Sequence, residues 1–114
     1  MNLAMFRNTI GAVDFDGTLC SFAYPDIGEP NMEVINNLKT LREVHGCKLI
    51  LWTCREDDCL RKALAWCKEL GLEFDAVNDN LPETTYSHLG NSRKVYADWY
   101  LDDRNVDPLM FSQL

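Results

Sequence analysis

The sequence predicts a three-layer α/β fold with a mainly parallel sheet, and three observations carry that expectation. Short apolar runs alternate with stretches of helical periodicity. Each connection is long enough to cross over to a parallel neighbour, so the sheet should be covered on both faces. No linker or internal repeat interrupts the pattern, which reads as a single domain over residues 1–114.

The first strand is expected at Thr9–Asp14, an apolar run ending in an acid, and the second at Lys48–Thr53, ending in a hydroxyl. Between them Met32, Ile35, Leu38 and Leu41 recur at helical spacing. Pro30 and Asn31 supply a start signal and Gly46 a stop. A second helix is expected over Asp57–Leu70, with Leu60, Ala63, Leu64, Cys67 and Leu70 on one face and Gly71 as a left-handed exit. A third strand, Phe74–Asn78, follows. A polar stretch from Asp79 to Ser92 then leads to a β-branched and aromatic fourth strand at Val95–Leu101, which ends in Asp102 and Asp103. Beyond it, Val106, Leu109, Met110 and Phe111 are enough for a short edge element, or for a surface that a partner chain completes.

Composition narrows the function classes. Eleven Lys and Arg against eighteen Asp and Glu leave a formal charge of −7, which argues against a nucleic-acid partner. No stretch approaches the roughly 20 uninterrupted apolar residues of a membrane helix, and the mildly apolar start lacks a cleavage pattern. Five cysteines, an odd number in no spaced framework, read as reduced thiols, and with the missing leader they point to a cytoplasmic protein. With only two histidines, His45 and His88, no Cys/His zinc pattern can be assembled.

In open parallel sheets ligands bind beyond the carboxyl ends of the strands, where this reading gathers Asp14, Thr53, Asp102 and Asp103. In VDFDGTL the acids Asp14 and Asp16 fall on the same side of the pleat, and Gly17 lets the chain leave the sheet while keeping both near the strand tip. Crowded carboxylates repel one another. An all-oxygen cluster is relieved best by a hard cation, and Mg²⁺ is the natural choice. Such an ion would let an acidic site accept a phosphate, with the Thr53 hydroxyl and the Lys94 charge suited to holding phosphoryl oxygens.

In this order, DFDGT at 14–18, Thr53 in LILWTCR, Lys94 in SRKVYAD, and Asp102 with Asp103 in YLDDRN resemble the four motifs of the haloacid dehalogenase-like superfamily. The resemblance covers nearly the whole chain. It implies a Rossmann-like core and a Mg²⁺-dependent phosphohydrolase. Asp14 would be the nucleophile that becomes an aspartyl phosphate, and Asp16 the acid and base. Thr53 and Lys94 would hold the phosphoryl group. Asp14, the backbone carbonyl of Asp16, and Asp102 would bind Mg²⁺, with Asp103 a ligand directly or through water. Asp16 favours a phosphatase, since dehalogenases of the superfamily lack this second acid and its transport ATPases have Thr there.

Both intervals that carry cap domains in relatives are already filled, so the resemblance implies a capless site. An open site suits either a macromolecular phosphoester that docks on it, or a phosphorylated small molecule with a neighbouring subunit of a homo-oligomer as the missing wall. Cys20–Pro30 corresponds to the flap that follows the first motif, and its Phe22 and Tyr24 either stack on a leaving group or cover the core. Arg55, Arg93 and Arg104 read as structural ion-pairing residues rather than as substrate contacts. Two other functions fit the same fold. One is a receiver-like phosphoacceptor module, although a receiver carries its acid pair on the first strand. The other is a catalytically idle binding or assembly subunit.

Overall fold

The computed structural model describes residues 2–113, apart from the side chains of residues 88 and 89. The expectation for His88 therefore lies outside the described residues. Four parallel strands form one sheet in the order β3-β2-β1-β4: β1 Ile10–Val13, β2 Lys48–Leu51, β3 Ala76–Val77 and β4 Trp99–Leu101. Helix α1, Met32–Glu43, joins β1 to β2, and helix α2, Asp57–Glu69, joins β2 to β3. Each step moves outward in the same direction. The chain then returns across the sheet to place β4 on the far side of β1. The strand order reverses between β1 and β4, the kind of switch point at which open α/β sheets bind ligands.

Local chemistry explains these elements. The Asn31 side chain caps α1 by accepting from Val34 N at 3.4 Å, and Ile35, Leu38 and Leu41 are buried on its inner face. Helix α2 buries Ala63 and Cys67 and ends at Gly71, whose φ of +81° is the left-handed exit that its position suggested. Both helices pack on one face of the sheet, against Val13, Leu49 and Leu51.

The opposite face is covered differently from the expected second helical layer. Ala12 and Ile50 meet Leu81 and Val95, which belong to the long return segment. That segment contains only the short helix α3, Pro82–Thr84, continued by a wider turn over Thr85–Leu89. Its Asn, Pro, Thr and Ser content supports no long helix, so two apolar residues and a buried Asn80 do the covering. Asn80 accepts from Tyr96 N at 2.6 Å and donates to Asn91 Oδ1 and Ser92 O, each at 3.2 Å.

Two strands are shorter than the sequence suggests: ahead of each, an acidic side chain takes the neighbouring strand's N–H, while the acid's own backbone N–H still donates to that strand. Asp75 accepts from Leu49 N at 2.9 Å just ahead of β3. Asp98 accepts from Ile10 N at 2.7 Å through its side chain and donates its backbone N–H to Ile10 O, also at 2.7 Å, just ahead of β4, while Val95 and Ala97 pack on the open face of the sheet. The tail is a short helix, α4 Pro108–Ser112, with Leu109, Met110 and Phe111 exposed, and it adds no strand to the edge. No helix of the described residues is long and apolar enough to cross a membrane.

Candidate functional site

Asp14 is the first residue beyond β1, and its backbone N–H still donates to Leu101 O at 2.9 Å. Because Val13 pairs with Leu101 in register, Asp14 and Asp102 leave adjacent strand tips side by side. Oxygens of Asp14, Asp102 and Asp103 all lie within 4.8 Å of one another. Gly17, with φ +84°, passes so close that a Cβ there would overlap the Asp103 carboxylate. The turn that lets the chain leave the sheet thus also makes room for the third acid.

Burial pushes the Asp14 carboxyl up to about 6; the Phe15 backbone hydrogen bond pulls the other way, and the Asp102 and Asp103 charges add to the rise. Thr18, itself buried, donates its hydroxyl to Asp14 Oδ2 at 3.4 Å. Three carboxylates without nitrogen or sulfur donors match a hard divalent ion, so the residues present fit Mg²⁺. The Asp16 carboxylate does not join this triad.

Asp16 is committed elsewhere. Arg55 grips it with a two-pronged fork, Nε to Oδ2 at 2.9 Å and a terminal nitrogen to Oδ1 at 2.8 Å. The guanidinium is 1% exposed. It also donates to Asp26 O at 2.7 Å and Pro25 O at 3.1 Å and lies over the Phe15 and Tyr24 rings. One side chain thereby ties together the Asp14–Thr18 turn, the start of the α2 connection and the Cys20–Pro30 flap.

Thr53 lies just past β2, with its backbone N–H held by Asn78 Oδ1 at 2.8 Å and its hydroxyl oxygen accepting from Arg55 N at 3.1 Å. One lone pair of the oxygen is thus engaged, and the O–H proton, which has no acceptor among the described residues, is left for a ligand. Asp14, Asp16, Thr53, Asp102 and Asp103 line one cleft of about 420 Å³, together with Phe22, Tyr24, Cys54, Arg55 and Arg104.

Lys94 is not among these residues. Its ammonium sits over the Tyr100 ring, 5.4 Å from the centroid, and Ser92 bonds to its carbonyl. The segment that leads into β4 crosses the sheet face that the two long helices leave open, where Val95 packs on Ala12 and Ile50. Asn80 holds the following residues there.

Sequence reasoning missed several members of the site. Arg55 is an ion-pairing residue as expected, but its partner is Asp16 itself. Thr18 on Asp14 stood within the DFDGT motif without a role of its own, and Asn78 under Thr53 carried no signal beyond its nearness to a strand tip. Phe22 and Tyr24 are 60% and 53% exposed, so they line the cleft and leave the core to other residues.

No protein-family model matches the chain, and none of the curated proteins does. The solved structure of a conserved protein coded by a locus of Bacteroides thetaiotaomicron is similar to it. The two share 43% identity at a TM-score of 0.77, over 88% of this chain and 79% of the other.

Proposed function

We propose that this chain, which belongs to the same family as the conserved Bacteroides thetaiotaomicron protein, is a Mg²⁺-dependent phosphohydrolase with a haloacid dehalogenase-like core. The observation that carries the reading is the convergence of Asp14, Asp102 and Asp103 within 4.8 Å at the sheet's switch point, with Thr53 in the same cleft. Asp14, Asp102 and Asp103 would hold the ion, which when bound neutralises charge on the phosphoryl oxygens.

Asp14 attacks phosphorus through a carboxylate oxygen, the ester P–O bond breaks, and the departing alkoxide takes its proton from solvent water at the open mouth of the cleft. The free Thr53 O–H donates to a phosphoryl oxygen and fixes the group for in-line attack. Water then attacks the aspartyl phosphate, and inorganic phosphate departs. Asp16, each of whose oxygens accepts from Arg55 and keeps a second lone pair, would take the proton from that water. Lys94, over the Tyr100 ring, does not line the cleft.

The test is phosphate release from p-nitrophenyl phosphate and a panel of phosphorylated metabolites, with and without Mg²⁺, for the native chain and Asp14→Asn. Turnover that needs Mg²⁺ and disappears in the variant is expected. Undiminished hydrolysis by Asp14→Asn overturns the mechanism. The position of Lys94 on Tyr100 favours one other reading, an idle phosphate-binding subunit, which would bind Mg²⁺ and phosphate without turnover.

A further inference from the structure

The cleft has an apolar rim that the chemistry at its floor does not use. Phe22 and Tyr24 expose more than half of their side chains at the mouth, where two large rings in contact with water have no packing role. The flap that carries them is pinned at both ends. Ser21 N donates to Glu29 O at 2.9 Å, Glu29 N to Ser21 Oγ at 2.9 Å, and Asn31 N to Leu19 O at 2.8 Å. Arg55 holds its middle through the Pro25 and Asp26 carbonyls.

Each ring also rests on a guanidinium, Tyr24 on Arg55 at 5.1 Å and Phe22 on Arg104 at 5.8 Å. The two arginines differ in one respect. Arg55 is spent on Asp16, whereas Arg104 forms no ion pair within 4.0 Å among the described residues, although its backbone N–H donates to Asp102 Oδ1 at 2.9 Å. A cation free to face a ligand therefore stands beside the metal triad, in a chain of net charge −7.

Fixed aromatic faces next to an uncommitted positive charge recognise a planar ring attached to an anion. Building on the phosphohydrolase reading above, we propose that Phe22, Tyr24 and Arg104 form a leaving-group subsite that selects phosphomonoesters of ring-bearing alcohols over those of small aliphatic alcohols.

Two measurements test this. The first compares 2-phenylethyl phosphate with n-propyl phosphate, whose alkoxides are of similar basicity, so that the added ring is isolated from leaving-group chemistry. The ring-bearing ester should have a kcat/KM about tenfold higher. Phe22→Ala should bring the ratio close to one, and Phe22→Tyr should keep it. The second needs no turnover: calorimetric binding of phenylphosphonate and methylphosphonate to the Mg²⁺-loaded chain, where about the same tenfold preference should appear and vanish in Phe22→Ala.

Equal turnover of the two esters, equal binding of the two phosphonates, binding of neither, or a preference that survives Phe22→Ala overturns the subsite. Hydrolysis of both esters alike would do so while leaving the phosphohydrolase reading intact. A preference for phenylphosphonate without hydrolysis of either ester would support the subsite and overturn the phosphohydrolase reading.

Discussion

Replacing Arg55 by Met removes the charge that holds Asp16 while keeping an unbranched side chain of similar reach. The guanidinium is 1% exposed and the Asp16 side chain 14%, so the pair is shielded from solvent. The substitution strands a part-buried carboxylate and frees the Pro25 and Asp26 carbonyls that tie down the flap. Breaking a buried pair by removing one partner costs about 3–5 kcal/mol, a large share of the roughly 5–15 kcal/mol that holds a domain together. The variant should therefore still fold, with a Tm lower by roughly 10–25 °C. Urea denaturation of the native chain, Arg55→Met, Asp16→Asn and the double variant gives the coupling directly. The double variant should cost about 2 kcal/mol less than the sum of the single ones, because removing the second partner no longer strands the first. A loss below about 1 kcal/mol for Arg55→Met, or additivity within about 0.5 kcal/mol, would refute the claim that this fork secures the turn and the flap.

Gly17→Ala imposes a side chain at φ +84° and drives its Cβ into the Asp103 carboxylate. It should cost about 1–2 kcal/mol of stability and weaken Mg²⁺ binding at least tenfold, read by calorimetry. Because Asp14 in the metal-free chain titrates at about 6, above the ordinary 3.8, its neutral form favours the fold. Stability of the metal-free chain should fall as pH rises from about 4 through 6, and Mg²⁺ affinity should be flat above pH 6 and drop about tenfold per unit below it. Thermal scans and Mg²⁺ titrations across that range check both slopes. Asp75 shifts the opposite way: burial pushes its carboxyl up, but the Arg42 fork and Leu49 N–H together hold it below the usual range. Its contribution is present above the unfolded value near 3.9 and lost as pH falls, so Asp75→Asn should flatten the acid limb of the stability curve. Finally, the acid triad and a phosphate repel each other until a divalent ion intervenes. Inorganic phosphate and Mg²⁺ should each raise the other's affinity by the same factor, and phosphate binding indifferent to Mg²⁺ would refute the shared site.

How far the sequence could be read depended on how local each cause was. Apolar runs and helical spacing gave all four strands and both long helices, because burial on a sheet or along one helix face is written into consecutive residues. Strand ends were less legible. That Asp75 and Asp98 donate to a neighbouring strand through the backbone but accept from it through the side chain depends on a partner dozens of residues away, as Leu49 and Ile10 are. The same distance dependence divides the candidate site. Asp14, Thr53, Asp102 and Asp103 could be placed because each follows directly on an apolar strand, and parallel strands bring their carboxyl ends together. Lys94 precedes its strand, where that rule says nothing, and its ammonium sits over the Tyr100 ring. Arg55 marks the limit of such reading: two positions after Thr53, its charge suggested an ion pair, but the choice of Asp16 and of two flap carbonyls is made only when the Cys20–Pro30 segment folds over it. A buried arginine with so many acceptors is intelligible only after the acceptors converge. The acids gathered at the strand tips were therefore easier to find than the arginine that grips Asp16 and the flap.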